Sequence, residues 1–163
     1  MNQWRVARSK LFCLQSQNGN IALFVMVWNT PSLGSMKVNM DATIFSNPDS
    51  MGVGCVMKDH AGLFVCAMAV SFAGAYIPEI AEGLAIQEAL SWARDRQLLN
   101  VVFELDCLHI VEALLRKGTD RSSLGLIIKD CKLLSSSISN CSFAFVKRSR
   151  NEVAHKLARV SNS

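Results

Sequence analysis

Residues 101–114 read VVFELDCLHIVEAL, and the pattern within them decides the fold. Residues 101–105 form an apolar run, interrupted only by Glu104, that is typical of a buried strand. After Asp106 the apolar residues recur at helical spacing, which predicts an amphipathic helix. A buried strand that passes directly into a helix indicates an α/β fold. Asp106 stands at the junction, either as the cap of the helix or as part of a ligand site at the end of the strand.

The elements around this junction extend the pattern into a mixed layer fold. Residues 37–45 alternate between apolar and polar side chains, which predicts a strand. Pro78 suits the first position of a helix. The complete order is β-β-β-α-β-α-α-β-α, with strands at 37–45, 51–59, 62–71, 101–105 and 142–146 and helices at 78–97, 107–117, 123–137 and 150–160. We therefore expect an α/β fold with a five-stranded mixed sheet flanked by helices.

Length and composition fit one folded domain. The chain has 163 residues, of which 50% are hydrophobic and 18% charged, so neither disorder nor a repeat array is indicated. We expect residues 1–35 to form an N-terminal leader or linker and residues 36–161 to form the domain. The six cysteines lack zinc-like or disulfide-like spacing, which favours the nucleus or cytoplasm over secretion. The apolar run at 21–28 is too short to span a membrane.

Basic residues are unevenly distributed along the chain. The formal net charge is +4, and residues 1–40 contain no Asp or Glu. A second basic cluster, KRSR at 147–150, precedes the last predicted helix. Such clusters fit a surface that contacts a polyanion such as nucleic acid, but an ordinary solvated surface is the commoner cause of the same pattern. Charge alone leaves both interpretations open.

Three carboxylates stand out by their positions. Asp41 lies in the middle of a strand, Asp106 follows a buried strand, and Glu82 lies beside the apolar stripe of the first helix. Each has an ordinary alternative, namely a solvated sheet face for Asp41, a helix cap for Asp106 and a solvated helix position for Glu82. Together they are consistent with one site, because close carboxylates repel each other unless a divalent cation lies among them. Their hard oxygen atoms select Mg²⁺ or Mn²⁺.

Five blocks of this sequence resemble a type 1 ribonuclease H domain, in particular the plant branch found in retroelement-derived, reverse-transcriptase-like proteins. The blocks are WNTPSLGSMKVNMD (28–41), VGCVMKDHAGLF (53–64), EIAEGLAIQEALSWA (79–93), FELD (103–106) and VKRSRNEVAHKLAR (146–159). They occur in the family's order and cover about residues 28–160. The resemblance implies the five-stranded ribonuclease H fold and hydrolysis of the RNA strand of RNA–DNA hybrids, with two Mg²⁺ ions held by four acids.

Carried over by motif, the resemblance assigns the site. The first three acids fall on Asp41, Glu82 and Asp106, which are the expected metal ligands and catalytic residues. His155 stands at the position of the fourth acid and is the remaining expected catalytic residue, although it is equally explained as a helix-terminal residue facing the helix dipole. The expected contacts with an RNA–DNA hybrid or other nucleic acid are Lys147, Arg148, Arg150 and Asn151. We expect the protein to act as a monomer, without a membrane.

The histidine at the fourth position leaves two functions open. A neutral imidazole is a poor ligand for Mg²⁺ and a better one for Mn²⁺ or Zn²⁺, so weak nuclease activity is expected. The alternative is a catalytically impaired module that kept the fold and binds nucleic acid or protein without cleaving. Cleavage of a hybrid distinguishes the two.

Overall fold

A mixed sheet with helices packed on it carries the fold. The computed structural model describes residues 8–12, 33–118 and 120–162. The strands within these residues are β1 Arg8–Phe12, β2 Met36–Ser46, β3 Asp49–Lys58, β4 Phe64–Ala73, β5 Asn100–Leu105 and β6 Asn140–Phe145. The helices are α1 Pro78–Asp95, α2 Leu108–Leu115, α3 Ser123–Ser136 and α4 Glu152–Val160, with a 3-10 helix at Arg148–Arg150.

The sheet order β1-β4-β3-β2-β5-β6 combines an antiparallel part with a parallel part. β1, β4, β3 and β2 are antiparallel neighbours, and β5 and β6 continue the sheet in parallel with β2. The parallel register pairs Asn39 of β2 with Glu104 of β5. The carboxyl end of β5 therefore lies beside the middle of β2, so Asp106 and Asp41 leave the sheet in the same region.

The five predicted strands and the four predicted helices are all present, and the predicted α/β fold is confirmed. The structure adds β1, a sixth strand that sequence analysis did not predict, and β1 lies inside residues 1–35, which were expected to be a leader or linker. The apolar run at 21–28 and the start of the block at 28–41 lie outside the described residues. The domain boundary at residue 36 stays a prediction.

One face of the sheet is covered by α1, and the main apolar core lies between them. Because successive side chains of a strand point to opposite faces, Val38 and Met40 of β2 both point into this core. There they are buried together with Ala85 and Ala89 of α1. Helix α3 packs against the outer side of α1. Because alternate residues of a strand point to opposite faces, Asn39 and Asp41 point away from this core, towards the other face of the sheet.

Helix α4 covers the opposite face, and glycines allow it to lie unusually close to β3. A Cβ atom at Gly52 would overlap the backbone oxygen of Ala158, and one at Gly54 would overlap the backbone oxygen of Ala154. Only glycine, which has no Cβ, permits this approach. The close packing brings His155, between these two contacts, over Asp41.

Two further sequence predictions concern the cysteines and the possibility of a membrane-spanning segment. The five cysteines among the described residues are free thiols: Cys55, Cys66, Cys107, Cys131 and Cys141. Burial raises the pKa of Cys131 to about 12, as expected of a thiol packed as a small apolar side chain. None of the described helices combines the length and the apolar character needed to cross a bilayer.

Candidate active site

Asp41 is the most deeply buried acid of the site. Its side chain is 0% exposed, so the alternative of a solvated sheet face is wrong. One carboxylate oxygen, Oδ2, is hydrogen-bonded to Nδ1 of His155 at 2.5 Å. The other oxygen, Oδ1, is buried and has no hydrogen-bond partner among the described residues. Buried carboxylate oxygens are rarely left unsatisfied, so this atom is suited to accept a hydrogen bond from a water molecule or to bind a cation.

Asp106 follows β5 and faces the same region. Its side chain is 6% exposed and accepts hydrogen bonds from Nδ2 of Asn151 at 3.0 Å and from Nη1 of Arg148 at 3.3 Å. The alternative of a helix cap is not supported, because Cys107 is the capping residue of α2 and no side chain bonds the helix end. The Asp106 carboxylate is therefore directed at the site and not at the helix.

Glu82 completes the group of acids from the first turns of α1. Burial raises the pKa of Glu82 to about 8, and the negative charges of Asp41 and Asp106 act in the same direction. Burial also raises the pKa of Asp41, with Asp106 adding to the effect and His155 and Arg148 opposing it. The three acids are therefore electrostatically coupled, and their role as metal ligands stays a prediction.

His155 and Arg148 lie on the outer side of the acids. The ring of His155 belongs to α4 and contacts Asp41 through Nδ1. Nη2 of Arg148 lies 3.0 Å from the same ring nitrogen, Nδ1, and 3.4 Å from Nε2. Arg148 also forms the ion pair with Asp106, although its side chain is 63% exposed. The guanidinium thus connects the imidazole with a carboxylate at the surface of the site.

Asn151 corrects one prediction. Its side chain is 1% exposed, so it is not accessible to nucleic acid as predicted. Instead Nδ2 donates to the backbone oxygen of Met40 at 2.7 Å and to Asp106. The amide therefore fixes the start of α4 to β2, next to Asp41, and holds the Asp106 carboxylate in place. The remaining predicted contacts, Lys147, Arg148 and Arg150, are exposed, and Arg148 contacts Asp106.

A buried polar pair next to the site was missed by sequence analysis. Nδ2 of Asn39 donates to Oε2 of Glu104 at 2.9 Å, and both residues are buried. Burial lowers the pKa of Lys37, while the charge of Glu104 opposes the shift. The signal was the alternation itself, because polar residues recur at every second position, as Asn39 and Asp41 on β2 and as Glu104 on β5 and Asp106 directly after it. Two strands with polar residues at alternate positions place one polar stripe on the same sheet face.

The donor atoms suit a divalent ion, although the acids do not form a closed cage. Among the described residues, no three His, Cys, Asp or Glu side chains stand close enough together to hold a metal ion as they are. The unpartnered Oδ1 of Asp41 and the charge repulsion felt by Glu82 are both relieved by a cation. Carboxylate oxygens are ligands of Mg²⁺ and Mn²⁺. The three acids therefore suit a divalent cation chemically. We expect small side-chain movements when the cation binds.

Comparison with known proteins agrees with this architecture. Residues 39–161 match the model of the protein family described as reverse transcriptase-like. The structure is similar to RNase H1 from the halophilic archaeon Halobacterium salinarum NRC-1, with a TM-score of 0.71 and 24% identity over 79% of this chain and 98% of that one. LC11-RNase H1 in complex with RNA/DNA hybrid gives a TM-score of 0.66 and 19% identity over 76% of this chain and 94% of that one.

A larger viral protein contains a similar domain. The foamy viral protease-reverse transcriptase in complex with RNA/DNA hybrid gives a TM-score of 0.61 and 13% identity over 90% of this chain and 22% of that one. No curated protein matches this chain in sequence. At these identities the likenesses show the fold, which is that of ribonuclease H.

Proposed function

This chain belongs to the reverse transcriptase-like family, and we propose that it is a divalent-metal-dependent endonuclease that hydrolyses the RNA strand of RNA–DNA hybrids with weak activity. The observation that carries the proposal is the buried carboxylate of Asp41, whose Oδ1 has no partner among the described residues. It lies beside two further acids, Glu82 and Asp106, on a ribonuclease H fold.

The three acids are the proposed ligands of Mg²⁺ or Mn²⁺. When bound, such an ion polarises a phosphodiester and lowers the pKa of water, which is the chemistry that hydrolysis needs. Asp41 is held by His155, and Asp106 is held by Asn151, so two of the three acids are oriented before any ligand arrives. Glu82 keeps a proton near neutral pH until a cation favours its ionised form.

His155 is the reason for proposing weak activity. It occupies the helix position at which the resemblance expects a fourth acid, and its Nδ1 is already engaged with Asp41. An imidazole with one nitrogen used in this way adds no oxygen ligand and no negative charge to the site. We therefore expect Mn²⁺, which accepts nitrogen ligands better than Mg²⁺ does, to support more activity.

The proposed substrate follows from the exposed basic residues beside the acids. Lys147, Arg148 and Arg150 are exposed and would bind phosphates of the duplex backbone. Distinction of RNA from DNA would come from 2′-hydroxyl groups in the wide minor groove, so binding should follow duplex shape and not base sequence. Two proteins of similar fold are known in complex with RNA/DNA hybrid, which supports this choice of substrate.

Cleavage of a labelled RNA–DNA hybrid tests the proposal. The assay is run with Mg²⁺ and separately with Mn²⁺, and Asp41→Asn is the matched control because it removes the charge while keeping the size and shape of the side chain. Cleavage that Asp41→Asn abolishes supports the nuclease. His155→Asp then measures how much activity the fourth acid restores. A folded protein that cleaves in neither metal contradicts the proposal.

A catalytically impaired binding module is the second candidate. The observation in its favour is that two acids already have charged or polar partners, Asp41 with His155 and Asp106 with Arg148. A protein of this kind binds the hybrid without turnover, and divalent metal does not change its affinity. Gel-shift titration of the hybrid with and without Mg²⁺ distinguishes it from the nuclease.

The remaining parts of the proposal concern origin and assembly. We propose descent from a plant retroelement, on the strength of the sequence blocks that resemble that branch, and action as a monomer in the nucleus or cytoplasm. The free cysteines of the described residues are compatible with a reducing compartment. Light scattering after size-exclusion chromatography tests the monomer, and a dimer mass would contradict it.

A further inference from the structure

Arg148 is a positively charged side chain that contacts the candidate site. It lies on the 3-10 helix before α4, and its two terminal nitrogens contact different partners, Oδ2 of Asp106 at 3.3 Å and Nδ1 of His155 at 3.0 Å. Its positive charge also opposes the rise in the pKa of both Asp41 and Glu82 that burial causes. One exposed side chain is therefore in electrostatic contact with all three acids.

A divalent ion at this site would need the same carboxylate that Arg148 uses. Oδ1 of Asp106 accepts a hydrogen bond from Asn151 and Oδ2 accepts one from Arg148, so each oxygen already has one partner with which a metal ion would compete. Asn151 itself is 1% exposed, whereas the side chain of Arg148 is 63% exposed. An exposed ion pair contributes little stability because water competes for both partners. The guanidinium is thus the partner that a metal ion would replace.

We propose that Arg148 is an internal counter-cation that stabilises the acids in the absence of metal and is displaced when a divalent ion binds. The inference rests on the proposed metal site and adds a regulatory element to it, because each binding event must first release an ion pair built into the chain. Arg148 sets the metal affinity of the site from outside the ligand set.

The neighbouring basic residue provides a control. Lys147 is also exposed and precedes Arg148 directly, but the charges that oppose the raised pKa values of Asp41 and Glu82 come, within the described part of the chain, from Arg148 and His155. Removing Lys147 deletes one positive charge from the same surface without deleting a contact to the acids. The pair Arg148→Gln and Lys147→Gln separates a specific contact from a general change in net charge.

Isothermal titration calorimetry with Mn²⁺ tests the inference on the full chain without nucleic acid. Because the pair to be broken is exposed, Arg148→Gln should bind Mn²⁺ about two- to fivefold more tightly than the wild type. Arg148→Lys keeps the charge and should stay closer to the wild type, and Lys147→Gln should be unchanged. Thermal unfolding in EDTA provides a second readout, in which Arg148→Gln alone should melt at a lower temperature than the wild type.

The outcomes are distinguishable from those of the proposed function. Equal Mn²⁺ affinity of wild type and Arg148→Gln, with both proteins folded, overturns the counter-cation and leaves the nuclease intact. Equal tightening in Arg148→Gln and Lys147→Gln also overturns it, because net charge would then be the cause. No Mn²⁺ binding by any variant overturns both this inference and the metal site on which it rests.

Discussion

Replacing Glu82 by Gln should change how the stability of the metal-free protein depends on pH. In the folded protein Glu82 remains protonated up to a pKa of about 8, compared with its ordinary value of 4.5. Between these two values the unfolded chain has released its proton and the folded chain has kept it. The stabilising contribution of the protonated carboxyl is therefore complete below pH 4.5 and is lost as the pH rises towards 8.

The size of the effect follows from the shift. A change from 4.5 to about 8 corresponds to at most roughly 5 kcal/mol, since each pKa unit is worth about 1.4 kcal/mol. Glu82 is only partly buried, so water and side-chain movement will reduce this value. We expect Glu82→Gln to gain about 1 to 3 kcal/mol over the wild type between pH 5 and pH 9.

Urea unfolding in EDTA at pH 5, 7 and 9 measures the difference between the two proteins. Glu79→Gln, an exposed residue on the same helix, controls for loss of a carboxylate from α1. Millimolar Mn²⁺ should weaken the pH dependence of the wild type, because the cation favours the ionised form. A difference between Glu82→Gln and wild type that does not change with pH would refute the placement of Glu82 among charged acids.

Three further predictions concern the packing of α4 and the metal site. Gly54→Ala should cost about 2 kcal/mol or more in urea unfolding, because its methyl group overlaps the backbone of Ala154. Gly62→Ala, which has a positive φ but open space, should cost only about 1 kcal/mol. Asn151→Ala should cost about 1 to 3 kcal/mol by leaving the Met40 oxygen unbonded, and a neutral result would contradict that role. Mn²⁺ at about 100 times its Kd should raise the Tm by roughly 5 °C or more, and Asp41→Asn should remove this shift.

The elements with a strong internal pattern were predictable from the sequence, and β1 was not. β2 alternates and α1 carries an apolar stripe, so both show their structure locally. Residues 8–12 read RSKLF, which is too short to show a period. Their strand conformation comes from backbone pairing with β4, a partner more than 50 positions away, and such pairing leaves no signal in a short segment.

The candidate site shows the same contrast between residues that the local sequence identifies and contacts that depend on distant partners. Asp41, Glu82 and Asp106 were predicted because their positions on strands and helices are visible in the sequence. Asn151 was expected to contact nucleic acid, whereas its buried partner Met40 lies 111 positions earlier and could not be read from the sequence. The inward contacts of Arg148 were equally hidden, since they depend on how the 3-10 helix directs a side chain that sequence analysis expected to face phosphate.

The pairing of β1 with β4 has a consequence for self-association. β1 bonds to residues 67–71 of β4 and so occupies one edge of the sheet. A shortened protein that starts at residue 33 would expose this edge, with unpaired N–H and C=O groups along a strand rich in small apolar residues. Open edges of this kind pair with other chains and seed aggregation. Expression of the domain for the assays above should therefore retain residues 8–12, and loss of solubility on their removal would show that this strand protects the sheet.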